Sequence, residues 1–597
     1  MKKEGKIMKT LITTLNSKFI HSSLSIRYLK SYCRDISNIE IAEFTINQNT
    51  DFITSEIYKS SPNIVCFSCY IWNIGNTLDI CERLKIVKPD VIIVLGGPEV
   101  SFDGEDVLSK YPFVDFIVSG EGEVTFRELI LNIINCSRNF YDIKGLVFRD
   151  GKKIVTNSPR PLIEDLDTIP SPYEFLNGDL KDKIVYFESS RGCPFNCQFC
   201  LSSTIKGVRF FSLDRVKKDL DRLINLKVRQ VKFVDRTFNA KKEYAMEIIK
   251  FIMDKNPENM NFHFEITAHL IDDDMLNLIS HSKEGLFQFE IGVQSTNPNT
   301  IDAIGRTTNI EKVEKITRKI KSYKNIHQHL DLIAGLPYEN YESFKQSFND
   351  IYSLRPEKLQ LGFLKLLKGS RLREEKDKYG FKFIDRPPYE VLENNYISYS
   401  EMLKLKAIED LVEKYGNDSS FENITQFIIT NYYESPFEFY EAFSAYWEQK
   451  GYHKVSHSKK ELYRIIYDFF REVINSDVSI INEIIKFDFI LNNKNPNIPE
   501  YINRVDVEIL QDKKHEFLKN EMYVEKFLPK FKDIPVKKII NTVHVESFEF
   551  DVIYFINYGY NMKEINKGRT TVLFVYETDK VLNKCKVFDI TEDINQI

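Results

Sequence analysis

The chain has 597 residues, with 82 Lys and Arg against 87 Asp and Glu and a formal net charge of −5. That length predicts several domains, and the near balance of charge argues against a general nucleic-acid binder. Nine cysteines are too few for a disulfide scaffold. No apolar run approaches the roughly 20 residues of a membrane span. The opening MKKEGKIMKTLITTL lacks the apolar core of a signal peptide. The expected location is cytoplasmic, with reduced thiols.

The first 150 residues alternate short β-rich runs with amphipathic stretches. Strands are predicted at Thr10–Leu15, Glu40–Ile46, Asn63–Tyr70, Val91–Gly96 and Asp115–Ser119, and helices at Ser23–Tyr32, Asn76–Val87 and Thr125–Ile134. Runs such as VIIVLGG suit strands covered on both faces, hence a parallel sheet. The product is a doubly wound, Rossmann-like α/β domain, whose ligands bind beyond the carboxyl ends of the strands. The loops there are Asn16–Ser23, Ser68–Asn73, Gly96–Ser101 and Ser119–Glu123. There is no G-x-G-x-x-G after the first strand, so a dinucleotide site is poorly supported. Cys66 and Cys69 form a C-x-x-C inside an apolar run. Strand spacing puts them on opposite faces, which predicts packing thiols rather than a redox or zinc pair.

The strongest signal is Arg191-Gly192-Cys193-Pro194-Phe195-Asn196-Cys197-Gln198-Phe199-Cys200. Three thiolates in a C-x-x-x-C-x-x-C loop can ligate three irons of a cubane cluster and leave the fourth open. A structural zinc site needs four closed ligands, and no fourth Cys or His follows nearby. The loop resembles the signature of the radical S-adenosylmethionine superfamily, with Phe199 as the aromatic residue before the third cysteine. The resemblance implies a [4Fe-4S] cluster on Cys193, Cys197 and Cys200. Its open iron would chelate S-adenosylmethionine, which is cleaved to methionine and a 5′-deoxyadenosyl radical.

Further strands are predicted at Ile184–Glu188, Gln230–Val234, Asn261–Ile266, Phe287–Val293, His329–Ala334 and Lys358–Leu364, with helices such as Leu213–Leu226 and Lys242–Met253 between them. Six such repeats suggest a partial (β/α)6 TIM barrel, with chemistry at the carboxyl ends of its strands. The resemblance implies that Asp235, Thr237 and Asn239 lie near the methionyl amino group and that Glu290 and Gln294 lie near the ribose. It makes Arg306 a carboxylate partner. Glu265 faces either S-adenosylmethionine or substrate.

A doubly wound domain followed directly by such a barrel resembles the cobalamin-binding radical S-adenosylmethionine enzymes over about residues 8–375. The D-x-H-x-x-G element of the older cobalamin signature is missing. Ser68, Tyr70, Gly96 and Gly97 keep its later order and spacing. The resemblance implies cobalamin contacts from Ser68, Tyr70, Trp72, Asn73, Gly96, Gly97, Pro98, Glu99, Gly120 and Glu121. His21 lies in the first loop without the Asp that would orient its imidazole. The preferred expectation is therefore cobalamin without a protein His ligand, its lower face shielded by Tyr70 or Trp72. The implied activity is methyl transfer to an unactivated carbon through a 5′-deoxyadenosyl radical and methylcobalamin. Rearrangement or cyclisation is the alternative within the same family.

The expected domains are a cobalamin-binding domain at 8–150, a linker at 151–182, the partial barrel at 183–375 and a substrate-capping domain at 385–597. The last is mostly α-helical, as at Glu401–Tyr415 and Lys459–Ile474, with strands predicted at Ser547–Ile556 and Thr570–Tyr576. It resembles an uncharacterised domain that accompanies one branch of these enzymes. Two other readings compete. A radical tRNA methylthiotransferase would need a second cluster, for which Cys33, Cys66, Cys69, Cys81 and Cys136 are candidates. A cobalamin sensor would have no need of the open-site cysteine triad. The substrate stays open between a small metabolite, a lipid and a peptide, and the expected electron donor is a flavodoxin or ferredoxin.

Overall fold

Seven strands form the first sheet: β1 (Thr10–Asn16), β2 (Ile39–Thr45), β3 (Ile64–Ser68), β4 (Ile92–Gly96), β5 (Phe116–Val118), β6 (Leu146–Asp150) and β7 (Lys153–Thr156). Their order is β2-β1-β3-β4-β5-β6-β7. Pairing is parallel through β5, and the β6–β7 hairpin adds two antiparallel strands at the edge. In this computed structural model the described residues are 8–137, 139–174, 180–205, 207–494, 496–505, 507–532, 534–565, 568–576 and 585–597.

Side chains alternate across a strand, so each strand feeds two cores. Leu11, Leu15, Val65, Phe67, Cys69, Ile93 and Leu95 pack on one face, under helices α2 (Thr50–Lys59), α3 (Ile74–Val87) and α4 (Gly104–Lys110). Ile12, Ile64, Cys66, Val94, Phe116 and Val118 pack on the other, under α1 (Leu24–Tyr32) and α5 (Gly122–Ile134). Cys66 and Cys69 thus lie in different cores, as their spacing predicted, and burial pushes both thiols well above the usual thiol range. Helices α2 and α4 and the β6–β7 hairpin are additions to the elements read from the sequence. β7 lies beyond residue 150, in the stretch read as a linker.

The second sheet is open and six-stranded, in the order β15-β14-β13-β12-β11-β8. Its strands are β8 (Ile184–Phe187), β11 (Gln230–Phe233), β12 (Asn261–Ile266), β13 (Phe287–Gln294), β14 (Ile326–Ala334) and β15 (Lys358–Phe363). β8 and β15 are its two ends, so the barrel is partial. Connecting helices include α6 (Leu213–Asn225), α7 (Lys242–Lys255), α8 (Asp273–Ser280), α9 (Pro298–Ala303) and α10 (Ile310–Tyr323). A short hairpin, β9 (Ser190–Cys193) with β10 (Gly207–Phe210), follows β8 and carries the first cysteine at its tip. The exposed edge of β8 is covered by the loop after β1. Ile184 N donates to Ile20 O at 2.7 Å and Ser22 N donates to Ile184 O at 3.2 Å. Covering an edge strand removes a row of unpaired backbone groups.

By contacts the chain divides into two units, Met1–Asn340 with Gly362–Ser398, and Tyr341–Leu361 with Tyr399–Ile597. The second unit is mainly helical. It includes Tyr399–Leu411, Glu422–Tyr432, Pro436–Gln449, Lys459–Phe469 and Val478–Asn492, and a three-stranded antiparallel sheet of Val543–Phe548, Thr570–Tyr576 and Cys585–Asp589. Its core is aromatic, with Tyr415, Phe421, Tyr440, Phe443 and Tyr463 fully buried. Lys486 is also fully buried, and donates to Glu483 at 2.9 Å and to the Ser547 carbonyl at 2.9 Å. The strand predicted at Ser547–Ile556 is corrected. It ends at Phe548, and Val552–Asn557 is a helix because the Asp551 side chain accepts from Tyr554 N and caps it. Among the described residues, no helix is long and apolar enough to cross a membrane.

Cys66→Ala or Cys69→Ala removes a buried sulfur from one core and should cost about 1 kcal/mol. Thermal unfolding should register that loss, while iron content stays at the wild-type value. A fall in iron with either variant would contradict a packing role.

Candidate active site

The loops at the carboxyl ends of β3, β4 and β5 touch one another. Cys69 N donates to Gly96 O at 2.7 Å, and Gly120 N to Ser101 Oγ at 3.4 Å. Gly97 has φ +106°, and a Cβ there would meet Cys69 O at 2.6 Å, so the contact requires glycine. Asn73 is buried, and its side chain donates to Leu15 O at 3.1 Å and to Ser68 O at 3.0 Å, tying the β1 and β3 ends together. Ser68 Oγ, Ser25 Oγ and the Tyr70 hydroxyl form a short chain at 3.0 and 3.2 Å. Tyr70 and Trp72 stack at 4.5 Å with only 4° between their planes, and Trp72 is 47% exposed. An exposed flat aromatic pair at a strand-end crevice is a platform for a planar ligand.

Two carboxylates expected in this crevice are held by the protein instead. Glu121 accepts from Arg209 at 2.6 Å and from Ile163 N at 2.8 Å. Glu99 accepts from the Tyr389 hydroxyl and lies 3.5 Å from Lys368 Nζ, and burial raises its carboxyl above the usual range. Lys368 also pairs with Asp103 at 2.7 Å. Glu99 therefore belongs to a latch onto Lys368 and Tyr389, while the backbone of Gly96 and Gly97 stays at the crevice. His21 Nδ1 is 3.0 Å from the Tyr186 hydroxyl on β8, and burial lowers its pKa. Its imidazole serves the edge cover of the second sheet.

An ionic network links the crevice to the cysteine hairpin. Arg191 lies 2.6 Å from Glu123, 3.0 Å from Glu188 and 3.5 Å from Glu121. It also stands 5.3 Å over the Tyr28 ring. Burial lifts Glu188 to about 7 although Arg191 opposes it. Gly192 has φ +98°, and a Cβ there would collide with the Gly207 carbonyl across the hairpin. All three cysteines are partly accessible. Cys193 Sγ is 3.4 Å from Thr237 Oγ1, Cys200 Sγ accepts from Ser202 N at 3.4 Å, and Arg306 Nη1 is 3.8 Å from Cys197 Sγ. Burial pushes the Cys197 thiol up, with Arg306 pulling it down and Cys200 and Cys193 adding to the rise. Phe199 packs against the apolar cluster around Ile304 and Leu372 and so anchors the loop before Cys200.

Three thiols in a C-x-x-x-C-x-x-C loop, with no fourth Cys or His close by in sequence, are the donor chemistry of a cubane cluster with one open iron rather than of a closed zinc site. Two buried amide oxygens nearby, Gln198 Oε1 and Gln294 Oε1, have no hydrogen-bond partner, and such acceptors call for a donor from a ligand. Gln294 owes its position to a register shift between Gly292 and Gln294, with φ +75°. Arg306 Nη2 donates to Gly292 O at 2.8 Å beside it.

Three family models match the chain: "B12 binding domain" at residues 10–130, "Radical SAM superfamily" at 187–351, and "Protein of unknown function (DUF4080)" at 377–574. Residues 187–351 thus form a radical S-adenosylmethionine domain and residues 10–130 a B12-binding domain. The chain is 28% identical over 360 residues to the "Uncharacterized methyltransferase PH0819" of Pyrococcus horikoshii, covering 59% of this chain and 77% of that one. It is 25% identical over 352 residues to the "Cobalamin-dependent radical SAM methyltransferase TokK" of Streptomyces tokunonensis, covering 55% of this chain and 51% of that one. The match thus spans only about half the length of TokK. Its fold is similar to that of the cobalamin-dependent S-adenosylmethionine radical enzyme OxsB with aqua-cobalamin and S-adenosylmethionine bound. There the TM-score is 0.57 at 16% identity, over 81% of this chain and 79% of that one.

Within the radical SAM domain, the expected ligand residues fall into two groups. Thr237, Gln294 and Arg306 lie by the cysteine loop, as given above. Asp235 and Asn239 have protein partners. Asp235 is buried and accepts from Ser189 N at 3.0 Å and from the Ser189 and Ser190 hydroxyls at 2.6 Å, while burial raises its carboxyl. Asn239 exchanges two hydrogen bonds with the Thr267 backbone at 2.9 Å. Glu290 sits inside the sheet, 2.7 Å from His263 Nε2 and 3.1 Å from Lys232 Nζ. Burial raises the Glu265 carboxyl, opposed by Arg236 and reinforced by Glu290. The candidates for a second cluster are divided: Cys33 and Cys66 are buried in one core of the first sheet, Cys69 and Cys81 in the other, and Cys136 is exposed. The network of Glu188, Arg191 and Arg209 was missed in the sequence, where only their charge is visible.

Serine at Cys193, Cys197 or Cys200 should take iron from about four per chain toward zero on quantitation. Gly192→Ala should do the same without removing a thiol. The Glu290 pair gives a pH prediction. His263 and Lys232 hold Glu290 down at about 2 against burial, so its stabilisation is complete above about 4.5 and is lost as pH falls toward 2. His263 is lowered from 6.5 by burial; the unfolded chain takes up that proton first, so acidification below about 6.5 also favours unfolding. Urea midpoints should fall from pH 7 to pH 5, and less so in His263→Gln.

Proposed function

We propose that the chain is a cobalamin-dependent radical S-adenosylmethionine methyltransferase acting on an unactivated carbon. The observation that carries this reading is the Glu121 carboxylate, from the crevice of the B12-binding sheet, lying 2.6 Å from Arg209 and 3.5 Å from Arg191 on the two strands of the cysteine hairpin. It supports two cofactor sites held at a fixed separation within one unit. Cys193, Cys197 and Cys200 are assigned to three irons of a [4Fe-4S] cluster, and the crevice loops with Tyr70 and Trp72 to cobalamin. When bound, the cluster and S-adenosylmethionine supply a 5′-deoxyadenosyl radical, and cobalamin supplies a methyl carrier.

The chain's own groups position and shield. Arg306 places a cation beside the cysteine loop, suited to a ligand carboxylate. Gln198 Oε1 and Gln294 Oε1 offer acceptors to an ammonium or to ribose hydroxyls. Tyr70 and Trp72 offer an apolar surface without a nitrogen ligand, and the commitment of His21 to Tyr186 agrees with that. Phe199 and its apolar cluster help to keep water from the loop. The electron donor is assigned to the flavodoxin or ferredoxin class, and the reduced cluster suits the cytoplasm.

The test is anaerobic incubation of the reduced, reconstituted protein with methyl-labelled S-adenosylmethionine and cell extract. Formation of 5′-deoxyadenosine and of a labelled product is expected. About eight irons per chain without cobalamin would favour a methylthiotransferase instead. An unlabelled, rearranged product would favour the rearrangement or cyclisation reading.

A further inference from the structure

The inner face of the second sheet carries mainly polar residues from β8 to β14. In β8 and β11 partly exposed residues alternate with buried ones, and in β13 and β14 the same alternation runs over most of the strand. The buried partners, including Phe233, Phe264, Phe289 and Leu330, form the outer face. Helices cover that outer face: the buried Gln328 side chain of β14 donates to Thr317 O of α10 at 3.1 Å. The residues opposite are of another kind. Tyr186, Lys232, His263 and Gln288 stand side by side across four strands. Glu265, Glu290 and His329 stand side by side in the next row. The Lys232 and Glu290 side chains, 28% and 22% exposed, are open to solvent despite their ion pair. Gln288 Nε2 lies 2.8 Å from His329 Nε2, and the His263 and His329 rings meet at 5.9 Å.

A sheet packed on one side needs apolar residues only on that side. Filling the other with Lys, His, Glu and Tyr adds nothing to the core, and each such group must keep water or find a polar partner. Laying a hydrocarbon on this face would strip water from the Lys232–Glu290 pair without return. A molecule with its own donors and acceptors would replace that water bond for bond.

We propose that this inner face recognises the substrate, and that the substrate is a polar, water-soluble molecule carrying both hydrogen-bond donors and acceptors rather than a hydrocarbon lipid. This rests on the methyltransferase reading above. Glu290 and Glu265 supply acceptors, and Lys232 and Tyr186 supply donors.

The experiment uses the reconstituted full chain, methyl-labelled S-adenosylmethionine and cell extract separated into aqueous and organic-solvent phases. Label is expected in the aqueous phase. Lys232→Met and His329→Phe should lower its transfer at least tenfold at matched iron and cobalamin content, with Lys232→Arg recovering part of the loss. Label recovered in the organic phase overturns the proposal. So does aqueous label that neither variant diminishes. If neither phase is labelled, the methyltransferase reading falls and the proposal falls with it; 5′-deoxyadenosine formation then shows whether radical chemistry survives.

Discussion

The guanidinium of Arg191, two residues before the first cysteine, is surrounded by Glu188, Glu123 and Glu121. Charges removed from water are tolerated only when each finds opposite charge and hydrogen bonds. Here the acceptors come from two sources, Glu188 at the end of β8 and Glu121 and Glu123 at the start of α5. Arg191 can satisfy all three only if the first sheet's crevice and the cysteine hairpin hold one fixed relation. Arg209, on the opposite hairpin strand, repeats the constraint through Glu121 and Ile163 O.

Other contacts extend that constraint to either side. The β1 loop covers the β8 edge through Ile20 and Ser22, with His21 reaching Tyr186. On the far side of the crevice, Glu99 is joined to Tyr389 and Lys368. The rim of the first sheet is therefore fastened by polar groups that, read singly, look like ligand contacts. A buried carboxylate must be paired with something, and in this chain the partner of Glu99 and Glu121 is the protein itself.

Some of the site was legible from local chemistry. Three cysteines within eight residues, with Phe199 between the last two, carry their meaning in spacing alone. The separation of Cys66 from Cys69 follows from strand geometry. The polar inner face was also written in the sequence, as FHFEI, FQFEI and HLDL, each alternating apolar with polar residues. Those runs identify strands readily. Their polar members gain significance only when neighbouring strands come into register and place Lys232, His263 and Glu290 together. The helix at Val552–Asn557 was misread for the converse reason: its residues favour strands, and the Asp551 cap outweighs that preference.

The sequence by itself determined the two α/β domains, the strand order of chemistry along the chain and the cluster loop. Periodicity, loop position and cysteine spacing are all properties of nearby residues. Tertiary structure alone decided which polar residues remain available to a ligand. Asp235, Asn239, Glu99 and Glu121 are bound by partners 28 to 290 residues distant, whereas Gln198 and Gln294 keep unpaired oxygens. Desolvation makes that sorting strict, because a polar atom taken from water must be matched, and only the folded chain shows what matches it.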